Sequence, residues 1–473
     1  MQIPIFSKTV LSASLAALLL TGCAVAPEMT AEEKNALGTS WNAAVPEVRG
    51  PSIEEAESWW KAWNDPVLFD LIEKALASNT DVRTALANLR AAAALSDQAT
   101  AELFPTASLS GEASRNRRNG ETTKSYSAGG SASWSFSLAG GNIASQRAAN
   151  REALASAMTV EDTKIAVASE VAQNYINLRL AEVKLAIAKE TLKNYEEAAD
   201  IATWRLAAGL ATQSEADQAN STRDSSRAKI PSAEVSIAKY RNALARLCVL
   251  NASEIATATN ATIPVAPSNI AVSVPAETLR QRPDMRSAEY AVMAASDRVY
   301  EAQSGWFPTL KISGNLGTQA ATISALGASG TGIAALVGAI SMPLFNWKEQ
   351  ISTTEQKKAA LDKARATYTS TLVKALEETE NALEGISSSE RRVADLESSL
   401  AAAKSAADLA LLEYRSGISD YQTVLSTERT LLSARESVAE NSADRSTNYV
   451  KLYTALGGGW KAPQTEEAEV HHE

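Results

Sequence analysis

Apolar positions along this chain follow two rhythms, which alternate once and then repeat. From Val67 to Leu103 they recur with helical spacing, and no glycine or proline interrupts them. Phe104-Pro105 ends that pattern, because proline lacks the N–H a helix needs and biases its predecessor to extended backbone. Ala107, Leu109, Gly111 and Ala113 then alternate with Ser108, Ser110, Glu112 and Ser114. Arg115–Lys124 reads as a charged, polar connection. Beyond it Tyr126, Ala128, Gly130, Ala132, Trp134, Phe136 and Leu138 occupy one parity. Ser127, Gly129, Ser131, Ser133, Ser135 and Ser137 occupy the other. A period of two puts these sets on opposite faces of a strand, one apolar and one almost all serine. After Gly140-Gly141, the stretch Asn142–Ala208 contains neither glycine nor proline. As one helix it would be roughly 100 Å long. Gly209–Thr212 reads as a turn, and Gln213–Val249 returns as helix, interrupted by Pro231.

The second half repeats this programme. Thr80–Gly111 lies on Pro283–Gly314 without a gap, with 11 of 32 positions identical. These include Asp81/Asp284, Arg83/Arg286 and the closing Phe104-Pro105-Thr106/Phe307-Pro308-Thr309. A match of this kind marks a duplicated unit. Leu310, Ile312, Gly314 and Leu316 alternate with Lys311, Ser313, Asn315 and Gly317, and a poorly alternating strand follows at Ile333–Leu344. Trp347–Ser416 is a second very long helix, Gly417-Ile418-Ser419 its turn, and Asp420–Leu456 the return. Val393, Leu400, Ala407 and Tyr414 recur every seven residues, with Leu396, Ala403 and Ala410 three further on. That is a coiled-coil seam. Each repeat thus predicts helix, two strands, long helix, shorter helix.

Composition narrows the function classes. The chain has 473 residues and a net charge of −10, and it carries no basic stripe of the kind nucleic acid requires. No nucleophile–histidine pair or metal-ligand cluster is visible, and His471 and His472 sit together in the terminal tail, so no catalytic residue, metal or cofactor is assigned. Cys248, in an apolar helix end, reads as a buried, inert thiol. Residues 1–22 have the layout of a signal peptide: Lys8, then the apolar run Val10–Leu20, too short to span a membrane. Leu20-Thr21-Gly22-Cys23 resembles a bacterial lipobox, in which the cysteine carries lipid; Ala24 at the next position points to the outer membrane. Lipid chains at about 0.8 kcal/mol per buried CH₂ would anchor the protein stably.

The chain divides into the signal peptide (1–22), a lipid-anchored arm (23–66), a first repeat (67–249), a linker (250–276), a second repeat (277–456) and an acidic tail (457–473). Within the arm, Asp65-Pro66 is a helix start and Trp59, Trp60 and Trp63 pack it against the body. Strands of about ten residues with one polar and one apolar face carry the signature of a transmembrane barrel. Only closed barrels satisfy every backbone group in lipid. Four strands cannot close, so protomers must share a barrel, two giving eight strands and three giving twelve. The alternative is a lipid-anchored periplasmic coiled-coil scaffold or adaptor with hairpins as binding modules.

The lipobox, Trp59-Trp60 with Asp65-Pro66-Val67-Leu68, Arg282-Pro283-Asp284-Met285-Arg286, the paired Phe-Pro-Thr strand starts and Tyr414-Arg415-Ser416-Gly417 together resemble the outer-membrane efflux protein family. These are the TolC-like outer-membrane factors, and the likeness is greatest to their lipoprotein branch of NodT type. The resemblance implies a mostly α fold with a β-barrel portion. It implies a homotrimer whose twelve strands form one outer-membrane barrel and whose helices form a long periplasmic α-helical barrel. It further implies a passive exit duct, not an enzyme, for drugs or other small molecules handed over by an inner-membrane transporter and a periplasmic adaptor. In that family carboxylates after the second turn line the closed tip. Here the matching stretch is Thr423-Val424-Leu425-Ser426, without them. Residues just after the turns Gly209 and Gly417 are the gate set: Glu215 and Asp217 in the first repeat, Asp420, Thr423 and Ser426 in the second. The acids read equally well as solvated first-turn residues that complement a helix dipole.

Overall fold

The computed structural model describes residues 58–258, 261–265 and 279–460. Cys23, the signal segment, most of the arm, linker residues 259–260 and 266–276, and the tail from Lys461 on, with His471 and His472, lie outside them. Two compact units result, one built from 87–158 and 286–371, the other from 159–285, 372–460 and the segment leading to Leu86. Each contains parts of both repeats.

In the first unit the strands β1 (Thr106–Arg118), β2 (Glu121–Ser137), β3 (Thr309–Ala320) and β4 (Gly332–Ser341) form one antiparallel sheet in the order β1-β2-β3-β4. The expected connection at Arg115–Lys124 is instead strand almost to its tip. Asn119 and Gly120 take positive φ (51° and 89°), and β1 pairs with β2 up to Arg118↔Glu121. A two-residue turn with both φ positive matches the twist of the strands, so the ladder runs through the charged residues. Register carries the sequence alternation across the whole sheet. Leu109, Gly130, Leu316 and Ala334 lie side by side, as do Trp134 and Ile312, and Gly314 and Leu336. The opposite face is hydroxyl-rich on β1 and β2 and polar on β3, where Thr309, Lys311, Ser313, Asn315 and Gln319 share it. Ser108 and Ser131 share a hydrogen bond of 2.9 Å, and so do Thr309 and Ser341 at the same distance. On β4 that face is apolar (Ile333, Ala335, Val337, Ala339), which is why its alternation is poor.

Gly129 and Gly317 face each other on the polar side. A Cβ at Gly317 would lie 2.7 Å from the Ala128 carbonyl oxygen, and one at Gly129 2.8 Å from that of Leu316. The two backbones approach this closely because neither residue has a side chain.

The second unit is helical. Its core gathers around a 3₁₀ turn at Trp59–Trp63. Trp59 stacks on Tyr453 at 5.8 Å and meets Trp60 and Trp63 edge-on. Asp65 caps α1 (Pro66–Ser78) by accepting from the Val67 and Leu68 N–H groups. Its second carboxylate oxygen accepts from the Tyr175 hydroxyl at 2.7 Å. The single helix expected to Leu103 breaks at Asn79, and α2 (Thr80–Ala101) begins anew. Asn79 is buried; its Oδ1 accepts from the Asp81 N–H while its amide donates to the Leu247 carbonyl at 2.9 Å. Side-chain capping of this kind outcompetes helix continuation.

The long helices are continuous, α3 over Gly141–Ala207 and α6 over Trp347–Arg415. The return helix α4 (Gln213–Cys248) is not interrupted at Pro231. That proline is exposed, so the carbonyl it leaves without an N–H partner is open to water. Cys248 is buried and its thiol is pushed up to about 11 by burial, which keeps it unreactive. Before α5 (Pro283–Ser304), Arg282 is buried and bonds Asp284, Glu378 and the Ala455 carbonyl, the last belonging to α7 (Tyr421–Ala455). Beside this cluster, burial and then Asp284 push Asp162 up to about 6. The motif around Arg282 is thus a clamp on the end of α7.

Gly317→Val is expected to destabilise by about 1–3 kcal/mol, as overpacking does. Gly338→Val, where a Cβ meets nothing within 4 Å, should be near neutral. Urea unfolding midpoints would compare them, and equal midpoints would discount the close approach.

Candidate functional site

The two helical turns in the second unit are built alike. In the first, the Gly209 N–H donates to the Leu206 carbonyl at 2.9 Å and the Leu210 N–H to that of Arg205 at 2.8 Å. In the second, the Gly417 N–H donates to Tyr414 at 3.1 Å and the Ile418 N–H to Glu413 at 2.9 Å. This pair of bonds is the Schellman stop, which requires left-handed backbone at the residue after the helix. Gly209 and Gly417 supply it at φ 72° and 76°. The next helix then starts on a side-chain cap. Thr212 accepts from the Glu215 N–H at 3.2 Å, and Asp420 accepts from the Thr423 N–H at 2.9 Å. Both turns leave one large apolar side chain exposed, Leu210 in the first and Ile418 in the second.

Residues from both turns share one core. Tyr195, Ala198, Ala199, Ile201 and Ala202 of α3 pack with Ala219 of α4, Tyr414 of α6, and Tyr421, Val424 and Leu425 of α7. At its centre Tyr414 is fully buried. Its hydroxyl donates to the Glu215 carboxylate at 2.9 Å, and the Arg205 guanidinium lies 4.8 Å above its ring and donates to its carbonyl at 3.1 Å. Burial, then Glu215, raises the Tyr414 phenol above its ordinary value, so it stays a donor. Gln422 of the second repeat donates to Gln218 of the first at 2.6 Å, and Arg415 pairs with Glu197. The tip of one hairpin is therefore laced to the tip of the other.

The residues singled out by position separate into two kinds. Glu215 is half-buried and held by Tyr414 across the repeats. Asp420 is a cap, and the Thr423 N–H and hydroxyl hold its carboxyl below the usual range. Thr423 and Ser426 are exposed and bonded to each other's neighbourhood, the Ser426 hydroxyl donating to the Thr423 carbonyl at 3.0 Å. Asp217 is exposed and accepts from Gln213 at 2.9 Å. Asp420, Thr423 and Ser426 form one hydrogen-bonded stretch, whereas Asp217 stays on its own helix.

Sequence reading passed over Arg205, Asn194 and Glu428. Glu428 is 3 % exposed and accepts from the Asn194 amide at 2.9 Å. Burial raises its carboxyl above the ordinary value. Its signal was its spacing: Tyr421, Val424, Leu425, Glu428 and Leu431 form one buried stripe in which Glu428 is the single acid. Among the described residues no three His, Cys, Asp or Glu are grouped to hold a metal ion, and no helix is long and apolar enough to cross a membrane.

Comparison with known proteins bears on both repeats. A family model described as outer membrane efflux protein matches residues 71–248 and 274–458. The antibiotic efflux pump outer membrane protein ArpC of Pseudomonas putida is 28% identical over 96% of this chain and 96% of its own. The probable outer membrane lipoprotein SilC of Salmonella typhimurium is 26% identical over 93% of this chain and 97% of its own. The solved structure of the outer-membrane channel OprN superposes with a TM-score of 0.82 at 26% identity, covering 93% of this chain and all of that one.

Proposed function

The chain belongs to the outer membrane efflux protein family, and from that premise we infer its role: it is the outer-membrane channel of a tripartite efflux system. It is a passive exit duct through the bacterial outer membrane. The observation that carries the reading is the sheet. One face is apolar across all four strands and open to its surroundings, with Leu109, Leu316, Leu336 and Ile340 each more than two-thirds exposed. In water such a patch would be a liability; against lipid it is the stable arrangement.

The assembly is a homotrimer in this proposal. Strands β1 and β4 are free edges, and three copies of four strands make the closed barrel that lipid demands. The partners are a periplasmic adaptor and an inner-membrane transporter. The exposed Leu210 and Ile418 at the turns support docking at that end. The cargo is of the small-molecule class. Cys23 is the lipid attachment point, a reading supported by the lipobox and by a relative whose name says lipoprotein. The gate set comprises Glu215, Asp217, Asp420, Thr423 and Ser426. Of these only the exposed Asp217, Thr423 and Ser426 are free of packing duties.

Ala132→Arg puts a charge against lipid and should cost about 2–4 kcal/mol near the midplane, whereas Ser133→Arg on the other face should be mild. Yield of conducting, detergent-extracted protein reports this; equal losses would sink the assignment of faces. Cys23→Ser should abolish incorporation of radioactive palmitate, and equal label in both forms would refute lipidation there. Ser426→Asp would restore an acid beyond the second turn. It should increase block of bilayer conductance by millimolar divalent cations, because rings of carboxylates favour cations. Unchanged block would put Ser426 off the conducting path.

A further inference from the structure

The tip of the β1–β2 hairpin separates its charges by face. Odd positions of β1 and even positions of β2 share the apolar face with Leu109 and Trp134. Arg115, Arg117 and Lys124 fall on that face, and no carboxylate does. Glu112, Arg118 and Glu121 all fall on the opposite, hydroxyl face. Arg115 and Lys124 are direct cross-strand partners. Like charges placed opposite each other destabilise a hairpin unless something neutralises them. All three cations are exposed. The neighbouring β3–β4 loop, 321–331, has no charged residue. The cationic patch is therefore set apart in a chain whose net charge is −10.

Its height above the sheet is defined. Phe136 and Tyr126 bracket the apolar face of β2, ten residues apart, or about 34 Å along a strand. Tilted by about 40°, that spans about 26 Å, the height of a lipid-facing band with an aromatic residue at each rim. Arg115 and Lys124 begin two residues beyond Tyr126, at head-group level. All four helix junctions lie at the other end of the sheet, where Thr106 pairs with Ser133 and Thr309 with Ser341.

We propose that Arg115, Arg117 and Lys124 bind the phosphate groups of an anionic glycolipid in the outer leaflet, one such site on each protomer. The inference rests on the channel reading above, which sets the hairpin at the outer surface. A phosphate between Arg115 and Lys124 would offset their repulsion, and guanidinium forks suit its oxygens. The glycolipid would then act as a collar that holds the hairpin against the membrane.

The test uses the full-length protein in detergent, with lipid A, a bisphosphorylated glycolipid, and its dephosphorylated form as probes. Native mass spectrometry reads retention, and bilayer conductance is recorded from the same preparations. Wild type should prefer the phosphorylated form by roughly hundredfold, as three cations at an anionic lipid surface would give. Arg115→Gln/Arg117→Gln/Lys124→Gln should erase that preference, and Arg118→Gln, on the opposite face, should keep it. Lys124→Glu guards against misfolding: it turns the like-charged pair into an ion pair, so the hairpin should persist while the preference falls. Preference unchanged in the triple variant or in Lys124→Glu, or lost equally in Arg118→Gln, would overturn the site. Full displacement by millimolar inorganic phosphate would also overturn it, since the site would then take free phosphate. Absence of wild-type conductance would refute the channel reading; conductance without lipid preference would refute this inference alone.

Discussion

Strands β1 and β4 each present a row of backbone N–H and C=O groups with no partner in the sheet. In hydrocarbon each such group costs several kcal/mol, so a lipid-facing sheet cannot end. That constraint orders everything else about this chain. It makes the four-stranded sheet a fraction of a structure. It makes the protomer dependent on copies of itself, and it leaves the apolar face exposed in the single chain. Helices carry no such debt, because their hydrogen bonds close within one segment, and so the second unit builds a self-sufficient core around Trp59 and Tyr453.

Duplication met this constraint with few inventions. Both repeats stop their long helix with the same two hydrogen bonds and the same left-handed glycine. Both restart with an oxygen cap, Thr212 in one and Asp420 in the other. The differences lie in what each tip offers its twin. The first repeat supplies Glu215 and Arg205, and the second supplies Tyr414 between them. A homodimeric coiled coil could not divide these roles; a duplicated chain can, because each copy has been free to change.

Much of this was legible in residue order, and the misses have physical causes. The faces of β2 followed from parity alone, because a strand has a period of two and β2 obeys it from Tyr126 to Ser137. The hairpin tip was misread because charge suggested loop, whereas Asn119-Gly120 meets the geometry of a tight turn. The break at Asn79 was hidden because Asn79 lacks the stop signals of glycine or proline, and its reason, the Leu247 carbonyl, lies 168 residues away. Pro231 misled in the other direction, since an exposed proline is tolerated where a buried one is not. At the turns, glycine and cap were visible, but the bond from Tyr414 to Glu215 crosses 199 residues and leaves no local trace.

The hydroxyl face of the sheet has a consequence for whatever moves past it. A serine hydroxyl rotates and can either give or accept a hydrogen bond, so a row of them commits to no ligand polarity. Beside that row, β4 turns Ile333, Ala335, Val337 and Ala339 toward the same side. Going around a closed ring of such sheets, wettable sectors would alternate with oily ones. An amphiphilic solute could rotate to match the wall at any depth, find no deep well to hold it, and keep moving. Discrimination among solutes would then have to be made before they arrive.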